Sequence, residues 1–158
     1  MTRETAMHRS AIFSVLVTTM LLTGLASVGG EKLVDVGGAA VLAPGESAEF
    51  SGANRETIRV TLVGVVDESR CPIGVQCFWE GKVGAAFEFR LDGGEAERSE
   101  LHSHPPTAVR RALAGRCFAL GEVTPYPREG ESIDPAEYRV EIILEPGDAC
   151  AGSRSTSG

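Results

Sequence analysis

The sequence lacks most of the signatures that betray a chemistry. Gly37-Gly38 and Gly93-Gly94 are followed neither by Lys-Ser/Thr nor by a Gly-x-Gly-x-x-Gly spacing, so no phosphate-cradling loop is present and no nucleotide cofactor is expected. No serine stands in a Gly-x-Ser-x-Gly context, which leaves a Ser-His-Asp site without a recognisable nucleophile, and no catalytic residue is assigned. No CxxC pair occurs, which weighs against structural zinc. Positive charge is also short: 15 Lys and Arg face 22 Asp and Glu, for a net charge of −7. Nucleic acid and anionic membrane both require clustered positive charge, and neither is expected as a partner.

What the chain has first is an export signal over residues 1–26. Arg3 and Arg9 form a basic start, Ala11 to Leu25 is largely apolar, and small residues allow cleavage after Ala26 or after Gly29. The apolar run is short of the roughly 20 residues a bilayer-spanning helix needs, so an uncleaved N-terminal anchor is the lesser alternative. No cysteine lies at the cleavage site to carry a lipid. Removing the segment leaves 13 basic and 21 acidic residues on one domain over 27–150, followed by a Gly/Ser-rich tail at 151–158 expected to be disordered. The expected compartment is the periplasm or the exterior.

Four cysteines in an exported chain imply two disulfides, with three possible pairings. Proximity favours Cys71 with Cys77, and the remaining bond would join Cys117 to Cys150. A chain-entropy estimate gives about 2 kcal/mol for the short loop and about 4 kcal/mol for the long one.

Period-two alternation identifies strands. Ile58, Val60, Leu62 and Val66 share one face of the segment 58–67, whose far end is apolar on both faces and is expected to lie centrally in a sheet. Val83, Ala85, Phe87, Phe89 and Leu91 share another face, and Asp92-Gly93-Gly94 turns the chain into an acidic, solvated return strand from Glu95 to Leu101. Shorter strands are expected over 32–36, 41–42, 47–50, 117–123 and 138–144, with a helical turn opening at Asp134-Pro135. Arg110, Arg111 and Arg116 read as surface charges. The pattern predicts an all-β fold, an antiparallel β-sandwich of about seven strands, or alternatively a small β-barrel.

The organising stretch is Asp67 to Gly81, which holds Cys71, Cys77 and the only tryptophan, Trp79. One reading packs the Trp79 ring over the disulfide as core. The other makes a rigid loop that presents Ile73, Val75 and Phe78, with Trp79, to a partner. His102 and His104, alternate residues on either side of Ser103, are weak candidates for zinc or copper or for hydrolysis; no third ligand stands nearby, and Pro105-Pro106 favours a loop.

Arg59-Val60-Thr61-Leu62-Val63 leading into Asp67-Glu68-Ser69-Arg70-Cys71-Pro72, then Val75-Gln76-Cys77, Trp79 and Gly81, resembles a pattern in uncharacterised bacterial exported proteins and lipoproteins. Leu120, Val123, Pro125-Tyr126-Pro127 and Tyr138-Arg139-Val140 are similar to that family's C-terminal half. The resemblance covers residues 58–144, implies a small extracytoplasmic β domain, and brings no activity with it. Lipoprotein members carry an anchoring cysteine that is missing here. The resulting expectation is a non-enzymatic module that binds a protein or small ligand. Its alternatives are a proteinase-inhibitor-like protein using the Cys71 to Cys77 loop, and a metal-binding or hydrolytic protein using His102 and His104. Solvent exposure of Ile73, Val75 and Phe78 discriminates the loop readings; a pocket gathering a histidine with a carboxylate discriminates the last.

Overall fold

The structure, a computed structural model, describes residues 33–79, 81–103, 108–151 and 154–155, the last two by backbone alone. Residues 1–26, where an export signal is expected, its candidate cleavage sites, Lys32, His104, Pro105-Pro106 and the tail at 152–153 and 156–158 lie outside the described residues.

Alternating apolar residues form strands wherever one face finds a core to cover. The chain makes β1 (Leu33–Val34), β2 (Ala39–Leu42), β3 (Ser47–Ser51), β4 (Thr57–Glu68), β5 (Val83–Leu91), β6 (Ala96–His102), β7 (Val109–Leu113), β8 (Arg116–Thr124), β9 (Arg139–Pro146) and β10 (Arg154–Ser155). Two single 3-10 turns, Pro135–Glu137 and Gly147–Cys150, are the only helical pieces among the described residues. Asp134 caps the first, its Oδ1 accepting from the Ala136 amide at 2.9 Å. The all-β expectation holds.

The strands run as one path, β1-β3-β4-β5-β6-β7-β8-β9-β2, with β10 beside β7. Both ends of that path belong to the same ten residues. Leu33–Val34 pairs in parallel with Glu49–Phe50, whereas Ala39–Leu42 pairs antiparallel with Val140–Ile143. The segment 33–42 therefore spans from β3 to β9 and leaves the sheet nearly closed, nearer to the barrel alternative than to two separate layers. The weak place is between β6 and β7, which share the single pair His102 with Val109.

The interior is filled by Phe50, Phe87, Phe89 and Phe118 with Ile58, Val60, Leu62, Leu101, Val140, Ile142 and Leu144, all essentially inaccessible to solvent. Phe118 is the hub, edge-on to Phe50 at 5.4 Å and to Phe89 at 5.2 Å between ring centroids. Such T-shaped contacts match the positive edge of one ring to the negative face of another.

Several expectations need correction. Val66 does not join Ile58, Val60 and Leu62 on the buried face; it is exposed, while Val65 packs against the core. Two register shifts in the β4–β5 ladder, between Leu62 and Gly64 and between Val65 and Asp67, invert the alternation, and the far end of β4 is partly solvated rather than central. β7 was not expected as a strand. It pairs with β8 across Ala114-Gly115, both at positive φ, a tight turn without the usual Asn-Gly or Asp-Gly. Regular structure also continues past Glu145 and Cys150, since β9 reaches Pro146 and β10 lies parallel to β7. Arg110, Arg111 and Arg116 are not free surface charges. Arg110 pairs with Glu145 at 2.6 Å, and Arg116 donates to the carbonyls of Ser51 and Gly52. Arg111 fills the gap between β6 and β7.

Candidate functional site

The chain between β4 and β5 is the most prominent apolar surface. Cys71 bonds Cys77, with Cα atoms 6.0 Å apart, and Cys117 bonds Cys150 at 5.5 Å; no cysteine is free among the described residues. Cys117 and Cys150 are buried, whereas Cys77 is exposed on its loop.

The loop's neck is pinned by the polar residues that precede the first cysteine. The Ser69 amide donates to the Lys82 carbonyl at 2.9 Å, the Lys82 amide donates to Ser69 Oγ at 3.2 Å, and Lys82 Nζ lies 2.8 Å from Asp67 Oδ2. Gly81 makes that crossing possible. It sits at φ +71°, and a Cβ there would lie 1.8 Å from the Ser69 carbonyl oxygen, so only glycine fits.

Arg70 is the fastener. Its side chain is almost wholly buried; Nε and Nη2 donate to the two oxygens of Glu68, while Nη1 and Nη2 reach the carbonyls of Val123 and Pro125. The guanidinium also lies 4.6 Å from the centre of the Tyr126 ring. Tyr138 donates to Glu68 at 3.4 Å, and burial, followed by the nearby Glu68 charge, pushes its phenol above 10.0. Further out, the Ile73 amide donates to the Pro127 carbonyl at 2.9 Å and the Glu129 amide to the Ile73 carbonyl at 3.1 Å. The loop thereby docks against the turn Pro125-Tyr126-Pro127.

Past these clamps the side chains turn outward. Phe78 is 100% exposed, Trp79 77%, Ile73 52% and Val75 42%, with Tyr126 also exposed. Trp79 is therefore not a core residue. The ring follows the second cysteine just before the neck pinned at Ser69, Gly81 and Lys82, and faces solvent there. The four residues expected to form a binding loop share one exposed, cross-linked segment.

The histidine candidate ends elsewhere. His102 closes β6 with its imidazole against the Gly84 backbone; a Cβ at position 84 would come within 2.4 Å of the ring. It lines a cleft of about 850 Å³ along the seam between β6 and β7, together with Glu97, Arg98, Ser99, Glu100, Val109 and Arg111. A carboxylate is present, since His102 Nε2 stands 3.9 Å from Glu100 Oε2, but among the described residues the one serine lining the cleft, Ser99, accepts from Arg111 and has no bond to His102. No group of three or more His, Cys, Asp or Glu residues able to hold a metal occurs among the described residues.

Sequence reasoning missed Arg70 and Glu68 as the loop's fasteners, and Arg111. The first pair had a signal, since charged residues directly before a cysteine-proline step occupy the neck of any loop that disulfide closes. Arg111 had none, because its setting depends on how far β6 and β7 separate. The chain matches no protein-family model, no curated protein and no solved structure. No helix among the described residues is long and apolar enough to cross a membrane.

Proposed function

We propose that this chain is an exported, non-enzymatic domain that binds a protein partner by inserting the loop between Cys71 and Gly81 into an apolar cleft. The observation that carries the reading is the full exposure of Phe78 beside Trp79 on a loop cross-linked and clamped at its neck. Leaving two large aromatic rings in water is unfavourable, and aromatics centred in an interface supply much of its binding energy. A loop already fixed in shape loses little conformational entropy on docking. The exposed Cys77 and its bond to Cys71 are in keeping with an oxidising compartment, and so with the export signal. A proteinase whose cleft accepts the loop is one partner of this kind.

The test places a photo-crosslinking amino acid at position 78, and for comparison at Glu131 on the exposed loop after the Pro125-Tyr126-Pro127 turn, in protein exposed to the native extracytoplasmic extract. The expected result is a discrete adduct from position 78 alone, lost in Trp79→Ala while the melting temperature stays unchanged. Equal labelling from both positions, or an adduct indifferent to Trp79→Ala, overturns the reading.

A further inference from the structure

The seam between β6 and β7 holds an arrangement that the loop reading does not use. Arg111 reaches across it from β7. Its guanidinium lies 5.0 Å from the centre of the Phe89 ring, Nη1 donates to Ser99 Oγ, and Nη2 donates to Glu97 Oε2. The side chain is only 12% exposed, so the cation is fixed in position and largely withdrawn from water.

A guanidinium receives a carboxylate best along one edge, through two parallel donors, Nε–H and the neighbouring Nη2–H. Glu97 takes only one of them. Arg111 Nε is buried and has no hydrogen-bond partner among the described residues. A buried guanidinium nitrogen without a partner beside a cavity calls for an explanation, since buried polar groups are nearly always paired.

Glu97 is poorly suited to be the permanent occupant. Its side chain is 69% exposed, so its carboxylate gains little from the pairing and returns to water at small cost. It occupies Nη2 and leaves Nε without a partner. Swinging it aside uncovers a two-pronged donor backed by an aromatic ring, at a cleft of about 850 Å³. The backbone edge of β6 from Ala96 to Leu101, which among the described residues pairs only with β5, borders the same space.

We propose that this seam binds a small organic acid, whose carboxylate displaces Glu97 and takes both Nε and Nη2 of Arg111. Glu97 then acts as an internal competitor: it holds the site closed at low ligand concentration and lowers the apparent affinity for any anion. No bond is made or broken.

The probe is acetate, followed through the Arg111 Nε–H resonance of the full-length exported protein, with sodium chloride at equal ionic strength as the control. The expected result is a saturable shift with acetate and none with chloride. Glu97→Gln, on an exposed side chain and so without effect on folding, should tighten acetate binding several-fold. Arg111→Lys, which keeps the charge but loses the two-pronged geometry, should weaken it roughly tenfold, read from the Ser99 amide. Absence of a saturable shift in both wild type and Glu97→Gln overturns the proposal and leaves Arg111 as a plug for the seam. So does an equal response to chloride, which would mark a response to ionic strength alone.

Discussion

Gly81 and Tyr138 show how single residues hold this loop to the barrel. Gly81→Ala meets two penalties at once, a strained positive φ and a Cβ on top of the Ser69 carbonyl. Because the obstacle is backbone, no rotamer relieves it. The neck must open, and Gly81→Ala should lower stability by roughly 2–3 kcal/mol in urea denaturation. A loss within 0.5 kcal/mol would mean the neck is not closed in solution. Tyr138 adds a pH dependence whose sign follows from its surroundings. Burial and Glu68 raise its folded pKa above the unfolded 10.0, so its contribution is whole below pH 10 and is lost as pH rises through the folded value. Phenolate absorbance should therefore show a step above pH 10 that Tyr138→Phe removes, together with part of the alkaline loss of stability. If the component that Tyr138→Phe removes titrates at 10.0 or below, that phenol lies in water rather than beside Glu68.

Among the elements, the two disulfides divide the labour. The bond from Cys117 to Cys150 ties β8 to the 3-10 turn after β9 and is sealed inside, whereas the bond from Cys71 to Cys77 closes a small surface loop. Exchange needs a thiolate to reach sulfur, so a mild reductant should open the surface bond first, seen by alkylation and mass spectrometry. Cys71→Ser with Cys77→Ser should cost about 2 kcal/mol, and Cys117→Ser with Cys150→Ser about 4 kcal/mol. Reduction in the opposite order would contradict this arrangement. What the sequence made readable at this scale was decided by side-chain rhythm. β5 announced itself through Val83, Ala85, Phe87 and Phe89, all buried as expected, with only the terminal Leu91 partly exposed. β7 was hidden because Arg110-Arg111 resembles a solvated run and Ala114-Gly115 lacks the residues that usually mark a tight turn. β4 was legible as far as Leu62. Beyond it, bulges depend on how β5 must curve, information that no local pattern carries. The binding loop was legible as a loop, since cysteine spacing and Pro72 locate it, but the outward direction of Trp79 depends on a neck formed by residues on both sides of the disulfide.

At the scale of the whole molecule, the sheet solves the problem of exposed strand edges by bringing both ends of its path into one stretch of chain. An open edge offers unpaired amides and carbonyls to any passing strand, and closure removes that template. The seam between β6 and β7 is where closure is least complete, and there the border carries Glu97, Arg98, Glu100 and Arg111, charges that discourage another strand from adding. The acidic excess on the chain works in the same direction by keeping copies apart.

The double role of residues 33–42 also sets a schedule. During synthesis these residues emerge ahead of every other described strand, yet β2 has its partner in β9, about a hundred positions later. Contacts so distant in sequence are slow to form, and the earliest segment of the domain has to wait, unpaired on that side, until almost the whole chain has been delivered. Completion of the barrel thus records that Arg139–Pro146 has arrived: a truncated chain has nothing for β2 to close upon.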